Sequence, residues 1–410
     1  MGKNVSAVVL GAGVQGVLAA LMLAQRGHKV TLIDRRREMM TGASLNYEGR
    51  VHLGLIYAMD RSFSTSARMA ADALHFAPVV ERLSRQRPDW ASLSSTCSRY
   101  LVHHESHLSA DQLEDHFHQV ERAVLEGLRD DRLSYLGQRP THVARRAAIP
   151  ADVSPADIMA NFETVEACVD QPALHRILTA AIRAEPRITL GLGICVSGVK
   201  DESGGRWAIA CKDEAGASHD LKASMVVNCL WEDRARLDRQ AGIDDFPSES
   251  QRLKYSLLVR RNPMIDRLGS FLIVHGAFGS IVTHPGRDYA FLSWYPASLK
   301  GMAASQAIPR EWREVCDGNI QSKTMERIWR DNLEGFSRII PGMGRPDAVL
   351  IKAGIILADG LRDIDRPDSG FHRRDEQPVR QNGTFFSVAT GKYTSAPRNA
   401  ELLEQAIFGE

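Results

Sequence analysis

An apolar run that breaks into glycines and reopens as a helix constrains this chain more than any other feature. Residues 8–10 lead into Gly11-Ala12-Gly13-Val14-Gln15-Gly16, and a second apolar run, 30–33, closes on Asp34, 18 residues after Gly16. Each residue type has a physical task. Gly11 permits a tight strand-to-helix turn, Gly13 lets backbone approach a pyrophosphate, and Gly16 allows close helix-to-strand packing. The unpaired amides and positive dipole end of the helix hold the anion, while Asp34 accepts from ribose hydroxyls. The surrounding pattern predicts a buried parallel strand over 6–10, a helix over 14–24, and a stop at Arg26-Gly27-His28.

Composition narrows the partners. Fifty-one Lys plus Arg against 50 Asp plus Glu leave a net charge of +1, which gives no electrostatic case for nucleic acid or an anionic membrane. A hydrophobic content of 44% suits a globular chain with a large core. Residues 5–24 resemble a signal-peptide core, but glycines interrupt them and no cleavage site follows. Met1-Gly2-Lys3-Asn4-Val5-Ser6 fits a myristoylation pattern, which we read as chance because Ser6 already opens the first strand. Six cysteines are scattered without CxxC spacing, so neither a zinc site nor a disulfide framework is expected. A reducing cytoplasm is the expected location.

Alternation of strand-like and helical stretches predicts an α/β fold: a Rossmann-like dinucleotide domain built from 1–88, 160–245 and 346–410, and a second, smaller mixed-sheet substrate domain from 89–159 and 246–345. Residues 62–83 read as a helix that Pro78 should kink or divide. Residues 188–199 read as strand with a bend at Gly191 and Gly193. His103, His104 and His107 form the densest imidazole cluster, but strand neighbours face opposite ways, so a polar sheet edge is expected there and no metal. His116 and His118 fall on different sides of a predicted solvated helix over 110–128. Ser44 lacks His and Asp partners at triad-like positions, which leaves hydrolase chemistry unsupported.

At this point the residues resemble the FAD-dependent D-amino acid oxidase-like superfamily, which includes amino acid, glycine and sarcosine oxidases. The resemblance rests on the glycine motif with Asp34 and Arg35, on Gly42-Ala43-Ser44 through Asn46 to Arg50, on the strand around Val196, on Val227-Asn228-Cys229, and on Gly391 to Ser395. It implies FAD as cofactor. Gly11 to Gly16 would then meet the pyrophosphate, Asp34 and Arg35 the adenosine ribose, Ala43, Ser44 and Asn46 the flavin side, and backbone near Val196 the adenine. Gly391, Lys392, Tyr393 and Thr394 would meet the pyrimidine edge of the flavin, where amides, a helix N-terminus and the Lys392 charge stabilise the reduced cofactor. Arg50 and His52 are candidates to line the ring face.

Gly360-Leu361-Arg362 resembles the segment whose arginine binds a substrate carboxylate, since a planar guanidinium can bond it bidentately. Two positions depart from the family. Leu230-Trp231 stands where a small residue and glycine are usual, and Asp363 stands where proline is usual. The implied activity is oxidation of a C–N bond in an amine or amino-acid-like small molecule, with an anionic group held by Arg362. Oxidation of a 2-hydroxy acid or biosynthetic intermediate is the nearest alternative; an NAD-dependent dehydrogenase and a non-catalytic nucleotide-bound subunit are the others.

Overall fold

The structure is a computed structural model that describes residues 6–203, 205–243, 249–304, 308–366, 368–370, 373 and 377–409. The myristoylation-like residues before Ser6 and the expected boundary at 245–246 lie outside them. A six-stranded sheet runs in the order Val379–Asn382, Phe385–Val388, Met225–Asn228, Ser6–Leu10, Lys29–Asp34, Ile188–Leu192. Its pairings are parallel except for the edge hairpin of the first two strands. Its strands therefore come from three separated stretches of sequence.

The central strand Ser6–Leu10 is buried from Ala7 onward because it pairs on both edges and is covered by helix. That is the burial that turns a parallel strand into a continuous apolar run. Helix Val14–Gln25 is apolar all round for the same reason, with every residue from Val14 to Ala24 buried. It packs between the sheet and the helices Ser64–Ser84, Gln171–Ala184 and Ala396–Phe408.

Of the kink or division expected at Pro78, the division does not occur: helix Ser64–Ser84 runs through it as one element. Proline cannot donate to the carbonyl four residues back. The Leu74 carbonyl instead accepts the Ser134 amide at 3.3 Å, so a neighbouring segment fills the gap. The bend near 193 divides the predicted strand into Ile188–Leu192 and Ile194–Asp201, with Gly193 at a φ of 77°. The second of these strands opens a three-stranded antiparallel sheet with Trp207–Asp213 and Leu221–Ala223.

The second large sheet has nine strands, formed from 99–103, 144–164 and 249–359. Two of them differ from the expected division. Ile158–Thr164 straddles the boundary at 160 and pairs antiparallel with Arg99–His103. Ala348–Asp359, assigned from the sequence to the dinucleotide domain, pairs along the length of Glu249–Arg260. Arg99–His103 is an interior strand between Phe271–Val274 and Ile158–Thr164, so it is no polar edge. His103 is buried and stacks on Phe278 at 4.4 Å between centroids. His116 is likewise buried, bonded to the Gly54 carbonyl, while His118 is exposed. Among the described residues no group of three or more His, Cys, Asp or Glu could hold a metal ion, and no helix is long and apolar enough to cross a membrane.

Candidate active site

One continuous cavity of about 350 Å³ extends from the glycine turn to the space between the six-stranded and nine-stranded sheets. At its first end the chain is shaped to admit backbone and little else. Gly11 has a φ of 93°, its amide donates to the Ile33 carbonyl at 2.8 Å, and a Cβ there would lie 2.7 Å from the Cys229 carbonyl oxygen. A Cβ on Gly16 would lie 1.7 Å from the Gly11 carbonyl oxygen, so the helix can start beside the strand only with glycine there. The helix Val14–Gln25 carries no acidic residue in its first turn and no side-chain cap from Gly13. Its positive end is therefore left to other groups.

Asp34 completes this end. Its two carboxylate oxygens accept from the Ala12 amide at 2.7 Å and the Arg36 amide at 2.8 Å, which fix it at the wall. Gly11, Gly13, Val14, Gln15, Asp34 and Arg35 line the cavity. Ala12 and Gly16 lie behind the wall and act through its geometry. Arg35 ion-pairs with Glu232 at 3.4 Å and Asp317 at 3.3 Å. Val196 lines the cavity from the small sheet, and its carbonyl accepts from Arg236 at 3.0 Å. Trp231, at the position where the resemblance leads one to expect glycine, has a φ of 52° and donates from its indole to the Ile355 carbonyl at 2.9 Å. The bulky ring thus ties the loop after Met225–Asn228 to the nine-stranded sheet and forms part of the wall.

The middle of the cavity is a one-turn helix, Ala43–Asn46. Ala43, Ser44 and Asn46 line it; the Asn46 amide group donates to the Ala353 carbonyl at 2.7 Å, which fastens this turn to the nine-stranded sheet. Gly391, Lys392 and Tyr393 close the wall opposite, with Gly391 at a φ of 66°. Thr394 lies behind them. Its hydroxyl accepts from the His52 amide at 2.9 Å and donates to the Arg50 carbonyl at 3.2 Å, so it holds the segment 50–52 against the C-terminal segment.

Arg50 and His52 both line the far end. The Arg50 side chain is 2% exposed, with Nη1 donating to Ser98 Oγ at 2.6 Å. Among the described residues its Nε and Nη2 have no hydrogen-bond partner. Glu48 stands beside it, Oε1 3.9 Å from Arg50 Nε. Burial acts to raise the pKa of Glu48, but Lys254, Arg50 and Lys392 hold it below the usual value. Burial lowers the pKa of Lys254, partly offset by Glu48. His275, also in the wall, is lowered to about 4 by burial and bonds through Nε2 to the Ile56 carbonyl at 2.8 Å.

The Arg362 side chain does not reach the cavity. It is 63% exposed and ion-pairs with Asp368. What its segment contributes is the next residue: Asp363 accepts from Arg252 Nη1 and from the Tyr295 hydroxyl, each at 2.6 Å. The departure from proline therefore anchors Tyr295, which lines the cavity. A cation in this part of the cavity wall that sequence reasoning missed is Lys254. Its ammonium lies 5.9 Å from the Tyr47 ring centroid and 5.7 Å from that of Tyr295. Lys254 stays in regular register with Gly354 on one side, while the strand on its other side, Leu299–Ala303, carries an extra residue opposite the step from Leu253 to Lys254. Its only sequence signal was a polar residue on the alternate face of a strand whose Leu253, Tyr255 and Leu257 are buried. Glu166, fully buried behind Arg50, gave no signal at all.

The glycine cradle, the acid-free helix end and the buried edge of Arg50, whose Nε and Nη2 make no hydrogen bond among the described residues, fit an anionic dinucleotide cofactor that enters between two sheets. Fold and site together define a dinucleotide-dependent redox enzyme with a second sheet over its reactive end. Residues 6–397 match the FAD dependent oxidoreductase (DAO) family, and the chain belongs to it. It is an FAD-dependent oxidoreductase, which sets aside the NAD-dependent and non-catalytic alternatives. No match was found among curated protein sequences. Among solved structures, glycine oxidase from Geobacillus kaustophilus is similar at 16% identity and a TM-score of 0.64, covering 99% of this chain and 95% of that one. L-alpha-glycerophosphate oxidase from Mycoplasma pneumoniae with FAD bound follows at 14% and 0.63, covering 98% and 94%. Iminodiacetate oxidase from Chelativorans sp. BNC1 is similar at 15% and 0.61, covering 98% and 95%. At these identities the likeness is one of fold.

Proposed function

We propose that this enzyme oxidises a C–N bond of a small amine or amino-acid-like substrate that carries an anionic group. The observation that carries the reading is Lys254: a cation in the cavity wall, set between two tyrosine rings, with no ion-pair partner among the described residues. An ammonium in the cavity wall that forms no ion pair of its own among the described residues, with Glu48 as the nearby opposite charge, favours an anion delivered by the ligand. The ionised Glu48 close to it suits the nitrogen end of the same molecule, because a carboxylate accepts from N–H. An amino acid presents both groups a few ångströms apart.

Bound FAD supplies an acceptor for the hydride that leaves the substrate carbon. The protein holds the donor carbon in place. Lys254 and Tyr295 orient the carboxylate, Glu48 orients the nitrogen, and Arg50 and His52 line the wall beside Glu48. Gly391, Lys392 and Tyr393 place amides and a positive charge where negative charge develops. As hydride and the N–H proton leave, C=N forms; water then converts it to carbonyl and free amine. Asp34 and the glycine turn keep the roles set out for the pyrophosphate and ribose. In this reading Lys254, and not Arg362, holds the anion.

The second reading, oxidation of a 2-hydroxy acid, uses the same Lys254 but leaves Glu48 without a cationic partner in the substrate. Anaerobic spectral titration of the purified holoenzyme separates the two. Bleaching of the flavin by amino acids or N-substituted glycines supports amine oxidation. Bleaching by 2-hydroxy acids alone replaces it with the second reading.

A further inference from the structure

Glu166 is the most enclosed acidic side chain near the cavity, with no exposure, yet it does not touch the cavity itself. Everything it meets is a donor. Tyr100 gives its hydroxyl at 2.6 Å, Leu53 its amide at 2.8 Å and Arg50 its Nη1 at 3.5 Å, while His52 Nδ1 lies 3.7 Å away. An ionised carboxylate, which only accepts, matches that set, with the Leu53 amide and Arg50 Nη1 as groups that can only donate. Burial raises the carboxyl pKa above its usual value, and Arg50, Tyr100 and Leu53 limit the rise.

The consequence falls on Arg50. Ser98 and Glu166 both engage Nη1, and this fixes which edge of the planar guanidinium is spent. Nε–H and the neighbouring Nη2–H point the other way, as a parallel fork suited to two acceptor atoms. Neither nitrogen has a hydrogen-bond partner among the described residues, and the Glu48 carboxylate stands 3.9 Å from Nε, outside hydrogen-bond distance. Arg50 also shares the cavity wall with Gly391, Lys392 and Tyr393.

We propose that Glu166 is a positioning residue that turns the Nε/Nη2 edge of Arg50 toward the ring end of FAD and, by its charge, sets how strongly that guanidinium stabilises negative charge there. The proposal rests on FAD binding in this cavity and not on the identity of the organic substrate. A charge beside the ring tunes the cofactor without taking part in bond making. Replacing Glu166 by glutamine keeps the shape and removes the compensating charge, so Arg50 acts on the flavin at fuller strength.

The test is sulfite, which adds to oxidised flavin, leaves it negatively charged and needs no substrate. Glu166→Gln holoenzyme is expected to bind sulfite about tenfold more tightly than wild type and to show a higher two-electron midpoint potential. A tenfold shift in a two-electron equilibrium corresponds to about 30 mV. Glu166→Asp, which restores the charge, should return most of both values. Unchanged sulfite affinity and potential in Glu166→Gln, or the same shift in Glu166→Asp, would overturn the proposal. If Glu166→Gln does not fold, Tyr100→Phe carries the test. It removes a donor that helps hold Glu166 ionised, so the compensating charge falls and sulfite should bind more tightly, in the same direction as Glu166→Gln; no change there refutes the proposal equally.

Discussion

Ser44 Oγ lies 3.0 Å from the amide nitrogen of Val14, so a hydroxyl 30 residues away occupies the first donor of the N-terminal helix. It couples the segment that runs toward the reactive end of the cavity to the turn that holds the pyrophosphate. Capping interactions of this kind contribute about 1 kcal/mol. Ser44→Ala is expected to weaken FAD binding roughly fivefold on that basis, measured by fluorescence titration of the apoprotein. Equal affinity would show that the contact has no part in holding the cofactor.

Gly16→Ala is a harsher test of the same region. A methyl group at 1.7 Å from the Gly11 oxygen cannot be accommodated by a side-chain rotation, because the obstacle is backbone. The turn and the helix must separate, and overpacking of this sort typically costs about 1–3 kcal/mol. The purified variant should be colourless or nearly so. Full flavin content would mean that the cradle is more tolerant than its geometry allows.

Lys254 and Arg362 make opposite predictions for the anionic group. A hydrogen bond to a charged group contributes about 1.5–3 kcal/mol, so Lys254→Met should raise KM for an anionic substrate by roughly ten- to a hundredfold. Arg362→Ala, altering an exposed side chain already paired with Asp368, should leave KM within about twofold. Steady-state kinetics on both variants decide the matter; a large effect in Arg362→Ala alone would return the role to that residue.

Acid should destabilise the fold through buried imidazoles. The pKa of His275 is about 4 in the folded chain because burial disfavours its charge, against about 6.5 when unfolded. Between those values the unfolded chain binds a proton that the folded one refuses, so stability present above pH 6.5 is lost as the pH falls toward 4. The loss from this one group is roughly 3 kcal/mol. Burial also lowers His284 to about 4, against the pull of Asp170, and adds to the effect. Urea unfolding at pH 7 and at pH 4.5 should show a smaller drop for His275→Gln than for wild type. Parallel drops would remove His275 from the account.

What could be read in the sequence was local. The strand, turn, helix and second strand from Ser6 to Asp34 are contiguous, and each residue type is required by its neighbours, so the glycine turn and Asp34 were legible before any coordinates. That Pro78 would not divide its helix was not legible, because the group that satisfies the Leu74 carbonyl, the Ser134 amide, lies far along the chain. Arg362 misled because resemblance locates a segment but not the direction of its side chain. Glu166 and Arg50 are 116 residues apart, and no periodicity links a buried loop carboxylate to the arginine it orients. Lys254 needed the two tyrosines, Tyr47 and Tyr295, which come from distant segments. Residues that act through long-range convergence on a sheet face leave little trace in a single chain.

The most direct measurement follows nitrogen. When a substrate that bleaches the flavin has been found, the free ammonia or amine released should be counted against flavin reduced, anaerobically and over a single turnover. Oxidation of a C–N bond predicts one nitrogen compound set free per flavin reduced, with a carbonyl product left behind. Flavin reduction with no nitrogen released and a product oxidised at a C–O bond would contradict the account.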